Sequence, residues 1–267
     1  MSAPHIQSPG CKIHSTALIS SKARIGKDCF IGPYTLIGDD VVLGDRVRID
    51  SHGVIDGRTS IGDDTHLYPF VSIGLPPQDL KFAGESTETE IGQRNTIREF
   101  VTVHRGTAGG GGLTKTGSDC FMMAQVHIAH DCLLGDNVIM ANAATLAGHV
   151  IVEDGANIGA YSGVHQFCRI GREAYVGGYS VVVKDALPFA LTVGNHAKCY
   201  GLNKVGMRRR GYPRETIGAL HHAFHLLLSS KLNTAQAIER INKEIKDSRE
   251  VRELVAFIEG SKRGVVK

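Results

Sequence analysis

An aliphatic residue recurs at every sixth position of the chain: Ile13, Ile19, Ile25, Ile31, Ile37, Leu43, Ile49, Ile55, Ile61, Leu67 and Ile73. The residue after it is usually small or acidic, as at Gly26, Gly32, Gly44, Asp50 and Gly62, and the fifth position of each hexad favours Ala, Cys, Thr or Val. The pattern resumes at Ile91, Ile97 and Val103, shifts by one residue across Gly109 to Gly112, and runs on from Met122 to Val182. A helix repeats every 3.6 residues and an amphipathic strand every two, so neither accounts for a sustained period of six. A coil with flat faces does. Three hexads close a triangular turn of about 18 residues, and successive turns stack roughly 4.8 Å apart through parallel-sheet hydrogen bonds. The aliphatic and fifth-position residues then face inward, and glycines or polar residues turn the corners.

Two segments interrupt the repeat, at 74–90 and 104–118, and are predicted to be external loops in contact with a substrate or an interface. After Pro188 the spacing turns helical, with Ile217, Leu220, Phe224, Leu227 and Leu228 on one stripe behind Pro213. Asn233 and Gln236 have the spacing of a capping box before the stripe Ile238, Ile241 and Ile245. A last helix is predicted over 249–259, with Val251, Leu254, Val255 and Ile258 inward. The predicted layout is a mainly β protein, with a parallel β-helix over 1–190 and a small α-helical domain over 191–267.

Composition fits this layout. Thirty-two glycines among 267 residues, and no tryptophan, suit tight turns and a narrow core. No apolar run approaches the roughly 20 residues of a membrane-spanning helix, and the first ten residues lack the basic start and apolar middle of a secretory signal. A cytoplasmic protein is expected, not an integral membrane protein. The net charge of +3 is too small to argue for a nucleic-acid partner. Basic residues do gather at Arg208, Arg209, Arg210 and Arg214, a patch suited to phosphates or an acidic protein. The six cysteines have no CxxC spacing, and Cys29, Cys120, Cys132 and Cys168 sit at fifth positions, as small core residues would.

Hexads 18 residues apart lie on one face, one coil apart, so those starting at Ile128, Leu146 and Val164 form a column containing His130, His149, His165 and Gln166, with His127 beside it. Histidine near its usual pKa of about 6.5 can accept a proton, and a carboxylate that fixes its tautomer improves it as a base. Asp131 follows His130 directly. Gly148, one coil from His130, offers a backbone N–H to a developing oxyanion. The same histidines could instead be solvated corner residues, or could surround a metal as in a γ-class carbonic anhydrase, which needs three ligands and an open position.

The stretches HIAHDC at 127–132, LAGHV at 146–150 and VHQF at 164–167 resemble the active-site motifs of the UDP-N-acetylglucosamine O-acyltransferases of lipid A synthesis, within the hexapeptide-repeat acyltransferases. QDLKFAG at 78–84, IREF at 97–100, HRGT at 104–107, GGGLTK at 110–115, GNHA at 194–197 and RRG at 209–211 extend the resemblance over nearly the whole chain. It implies a left-handed coil and a homotrimer with active sites between subunits. It also implies transfer of an (R)-3-hydroxyacyl group from acyl carrier protein to the 3-hydroxyl of UDP-N-acetylglucosamine. The acyl group arrives on the carrier's phosphopantetheine, and no metal or other cofactor is expected. His130 would be the base, Asp131 its orienting partner and Gly148 the oxyanion donor. Asp79, Lys81, His127, His149, His165 and Gln166 would hold substrate, while Asn203 and Arg209 would meet the nucleotide from an adjacent subunit. Gly178 and His196 match positions that judge acyl length, and the small Gly178 suggests a longer chain. Arg208, Arg209 and Arg210 would attract the acidic carrier. One departure is Val205, where the family often has Glu. The related glucosamine N-acyltransferase carries an added N-terminal uridine-binding domain, for which hexads starting at residue 13 leave no room. A non-catalytic hexapeptide scaffold would have no use for HIAHDC.

Overall fold

Inward aliphatics with a period of six produce the expected coil. A computed structural model describes residues 9–267, so the first eight residues of the predicted β-helical domain lie outside the described residues. Most strands are two residues long, such as Phe30–Ile31, Leu36–Ile37 and Val42–Leu43, and they fall in turn on three parallel sheets. The first face runs from Lys12–Ile13, the second from Leu18–Ile19 and the third from Arg24–Ile25, each strand pairing with the one 18 residues on. The result is a left-handed parallel β-helix of triangular section.

Ile31, Ile49, Ile55, Leu67, Ile73, Ile97, Met122, Ile128, Met140 and Leu146 are fully buried in one axial core, with fifth-position Val71, Val101, Val126 and Ala144 beside them. Each such aliphatic side chain contributes about 1.5–3 kcal/mol by leaving water. The fifth-position cysteines are buried too. Burial pushes the thiols of Cys29, Cys120 and Cys168 up to about 11 and that of Cys132 to about 12, which leaves them inert compact hydrophobes.

The corners differ from the expectation. Their left-handed backbone position is held mostly by residues other than glycine, including Asp28, Tyr34, His52, Phe70, Asp131, His149, Phe167 and Glu173. The N–H of such a residue is tied to the preceding coil, as in His149 N–H donating to His130 O at 3.1 Å, and this offsets the strain. The glycines serve coil-to-coil approach instead. Gly26, Gly44, Gly62, Gly92, Gly117 and Gly135 stack, and a Cβ on Gly26 would lie 2.3 Å from Gly44 O, one on Gly92 2.4 Å from Gly117 O.

Both interruptions are external, but shorter than predicted. Strands Ser72–Leu75 and Glu88–Ile91 reduce the first to 76–87, while Thr102–His104 and Leu113–Thr116 reduce the second to 105–112. The loop stems satisfy their backbone groups by extending the ladders, Glu88–Ile91 pairing with both Arg58–Ile61 and Leu113–Thr116. The first insertion puts neighbours Thr65 and Asn95 30 residues apart, two whole hexads beyond 18, so the phase is kept. The second puts Thr102 and His127 25 apart, a hexad and one residue beyond 18, which is the origin of the phase shift.

The first sheet runs on past residue 190. Strand Ala190–Val193 pairs in parallel with the coil at Tyr175 and Val176, then antiparallel with Lys198–Leu202, so the first sheet extends to residue 202. Four helices follow: α1 (Lys204–Arg209), α2 (Arg214–Leu228), α3 (Thr234–Glu244) and α4 (Arg249–Glu259). The capping box at Asn233 and Gln236 is present, and Val251, Leu254, Val255 and Ile258 are buried as expected. Only the short α1 is without a sequence signal. Phe189, Leu202 and Met207 join the helices in a second core, and Val266 returns to the coil. Among the described residues no helix is long and apolar enough to cross a membrane.

Candidate active site

Strand pairing sets the columns at the corner between the second and third faces. His127 and Ile128 pair with Thr145 and Leu146, which pair with Gly163 and Val164. His130, Gly148 and Gln166 are therefore stacked in successive coils, with Asp131, His149 and Phe167 as the adjacent column. His165 lies one position earlier. The rings of His130 and His149 meet edge to face at 5.0 Å, and Phe167 stacks on His149 at 4.4 Å.

Asp131 reaches the ring of His130. Its Oδ2 lies 2.7 Å from His130 Nδ1, and its side chain is only 1% exposed. The second loop holds this carboxylate: Thr107 N–H donates to Oδ1 at 2.9 Å and Thr107 Oγ1–H to Oδ2 at 2.6 Å. Asp131 N–H, displaced from the coil-to-coil bond used at other corners, donates to Thr114 Oγ1 at 2.8 Å. Gly110 lies against Asp131 so closely that a Cβ there would fall 2.1 Å from the carboxylate carbon. An ionised carboxylate only accepts, so Nδ1 carries the proton and Nε2 presents its lone pair. A Cβ on Gly148 would sit 2.5 Å from His130 Cε1 and 2.8 Å from Nε2. Gly148 N–H donates to no acceptor among the described residues. The His130 ring and Gly148 thus stand side by side.

Burial favours the neutral form of the imidazoles of His104, His127 and His149. His104, 7% exposed, is pushed down to about 4 by burial, with His127 and His130 adding to the effect. His127 is lowered by burial and by His130, and its Nδ1 is 2.7 Å from Thr102 Oγ1. His149 is also lowered, chiefly by burial; the charges of Asp131 and Asp79 act in the opposite direction.

A metal fits this corner poorly. His130, Asp131 and His149 do offer three ligand atoms within 4.8 Å of one another. Yet Asp131 Oδ2 already accepts from Thr107 and His130, and its 2.7 Å separation from Nδ1 is a hydrogen-bond length. Two ligands on a tetrahedral zinc would stand about 3.3 Å apart.

The remaining predicted residues divide. Asp79 and Lys81 lie on the first loop, where Asp79 accepts from Lys81 N–H at 3.0 Å and is near enough to influence His149. Gln166, in the column, and His165, beside it, are exposed. Gly178 and His196 are exposed towards the C-terminal end of the coil. Asn203 and Arg209 are not brought to His130: Asn203 caps α1 and donates to Glu173 O at the corner between the third and first faces. There, Asn203, Val205 and Arg209 line a cavity of about 450 Å³ with Glu173 and Tyr175. The expected patch at Arg208, Arg209 and Arg210 is divided as well, because successive helical residues fan out. Arg210 is anchored to Glu173 at 2.8 Å, whereas Arg208 faces a separate cavity with Lys204, Arg214 and His221. Sequence reasoning assigned no role to His104, Thr107 or Gly110, although the HRGT and GGGLTK stretches contain them.

A coil of hexads is the mark of hexapeptide-repeat proteins, and the bacterial transferase hexapeptide (six repeats) family matches residues 22–57. The family described as Udp N-acetylglucosamine O-acyltransferase, Domain 2, matches residues 185–266. An acyl-[acyl-carrier-protein]–UDP-N-acetylglucosamine O-acyltransferase of Thermodesulfovibrio yellowstonii is 50% identical over 256 residues, 96% of this chain and 99% of its own. The Myxococcus xanthus enzyme of that name is 44% identical over the same shares. A UDP-N-acetylglucosamine acyltransferase structure from Bacteroides fragilis superposes with a TM-score of 0.94 at 38% identity, covering 96% of this chain and 100% of that one. The O-acyltransferase structure from Moraxella catarrhalis gives 0.90 at 43%, covering 96% and 99%. The chain belongs to the acyl-[acyl-carrier-protein]–UDP-N-acetylglucosamine O-acyltransferase family.

Proposed function

We propose that the protein transfers an (R)-3-hydroxyacyl group from acyl carrier protein to the 3-hydroxyl of UDP-N-acetylglucosamine, the first step of lipid A synthesis, with His130 as general base. The observation that carries the mechanism is the hydrogen bond from His130 Nδ1 to Asp131, which leaves Nε2 free beside Gly148. Nε2 takes the proton of the sugar hydroxyl as its oxygen attacks the thioester carbonyl carbon. The tetrahedral oxyanion accepts from Gly148 N–H, then collapses, breaking the C–S bond. The departing phosphopantetheine thiolate receives the proton from the His130 imidazolium. Asp131 stabilises that imidazolium throughout. The burial of Cys29, Cys120, Cys132 and Cys168 fits direct transfer without an acyl-enzyme, and no cofactor is needed.

His127, His149, His165, Gln166, Asp79 and Lys81 bind substrate from this corner. Asn203 and Arg209 serve the site of a neighbouring subunit in a homotrimer, since within one chain they occupy a different edge. An exposed aromatic ladder at the corner between the first and second faces supports that assembly. Tyr34, His52, Phe70 and Phe100 stack at 5.1, 4.8 and 5.1 Å, and Tyr34, Phe70 and Phe100 are about half exposed. Such a ridge, covered by second copies, would bring the first face of one subunit against the second face of the next. Arg208, with Lys204 and Arg214, attracts the acidic carrier, Gly178 and His196 judge acyl length with the small Gly178 leaving room for a longer chain, and the reaction takes place in the cytoplasm.

The test is acyl transfer from 3-hydroxyacyl carrier proteins of several lengths to UDP-N-acetylglucosamine and its 3-amino analogue. His130→Ala is expected to lose at least about 100-fold in kcat. A near-native rate in that variant would rule out the general-base assignment.

A further inference from the structure

We propose that His104 is a substrate-binding residue, a neutral hydrogen-bond donor whose Nε2–H meets an oxygen of the substrate held at His127 and His130. This rests on the reading of the active site given above. His104 ends the strand Thr102–His104, immediately before the loop whose Thr107 holds Asp131. Its ring stands edge to face with His127 at 5.0 Å and is close enough to His130 for the two to interact electrostatically. Its Nδ1 is enclosed without a hydrogen-bond partner. The ring has no hydrogen bond to any described residue, an unusual situation for a side chain this buried, because a polar group without a partner costs about 1–3 kcal/mol.

A phenyl ring or a methionine would fill this place without that penalty. The enclosed Nδ1 is best left as a bare acceptor, since unsatisfied acceptors are tolerated better than unsatisfied N–H groups. That choice puts the proton on Nε2. Unlike Nδ1, Nε2 is not enclosed, and it is therefore the polar atom that this ring, packed against His127, leaves accessible. Burial holds the imidazole down to about 4, so near neutral pH it donates without placing a positive charge beside His130, whose capacity as a base is preserved. The partner is an oxygen acceptor, on either the acceptor sugar or the acyl group.

The experiment compares native protein, His104→Phe and His104→Gln in acyl transfer, varying UDP-N-acetylglucosamine and acyl carrier protein separately, together with thermal melts at about pH 8. His104→Phe keeps the ring volume and removes the donor, and it is expected to lose about 10- to 100-fold in kcat/KM with no fall in Tm. His104→Gln, with an amide N–H, should recover part of the loss. A rise in KM for the sugar nucleotide places the oxygen on the sugar, and a loss confined to the acyl carrier places it on the acyl group. Native kinetics for both substrates in His104→Phe would overturn the proposal. So would a loss that tracks a falling Tm and is not relieved in His104→Gln. Absence of transfer by the native protein would overturn the functional reading itself, and this inference with it.

Discussion

At the scale of single residues, the site depends on two glycines and one carboxylate. Gly148 is small because His130 occupies the space of its missing side chain, and Gly110 is small because Asp131 does the same. Gly148→Ala should therefore displace the His130 ring rather than unfold the coil. The expected result is a loss of at least about 100-fold in kcat at nearly unchanged Tm, and a native rate would show that the ring has room to spare. His104 makes a separate prediction about pH. Its imidazole is held down to about 4 in the fold against an ordinary value near 6.5. Between these values the unfolded chain binds a proton that the folded chain does not, so this contribution is intact above about pH 6.5 and is lost as pH falls towards 4. In melts over that range, the native Tm should fall relative to that of His104→Phe; parallel curves would mean that His104 is not buried as neutral imidazole.

At the scale of elements, the hexad explains why a coil forms, and the glycine ladder explains how closely its turns pack. Gly62 faces Gly92, and a Cβ there would be 2.7 Å from the Gly92 carbonyl carbon, a backbone atom with no freedom to move aside. Gly62→Ala should destabilise by roughly 1–3 kcal/mol. Gly218, in α2, meets nothing within 4 Å, so Gly218→Ala should stabilise by about 0.5–1 kcal/mol through helix propensity. Opposite shifts in the thermal midpoints of the two variants check the distinction, and equal shifts would contradict it. The loops belong to this scale too. The second loop is where the hexad phase slips, and it is also the loop that brings Thr107 and Gly110 against Asp131.

At the scale of the whole molecule, the proposed homotrimer is supported by the exposed aromatic ladder and by the separation of Asn203 from His130. Phe70→Glu places a charge in the ladder without touching the active-site corner. It should reduce the molar mass seen by light scattering to that of a smaller species and abolish transfer with it. A monomer with full activity would show that the site needs no second chain.

Much of this was legible in the sequence because the coil is periodic. A period of six names the inward residues, and 18 residues return the chain to the same face, so the columns of His130, Gly148 and Gln166 follow from counting. Local chemistry was legible for the same reason at the Asn233 capping box and in α4, where spacing alone fixes the buried stripe. The loop limits were not, because a strand extends wherever an unpaired ladder edge is available, and that edge comes from another coil. The left-handed corners were not, because distant carbonyls offset their strain. The support of Asp131 by Thr107, the enclosure of His104 and the anchoring of Arg210 on Glu173 were decided by tertiary structure alone. Each joins residues whose separation is set by a loop or a helix outside the repeat, where counting along the chain no longer measures distance in space.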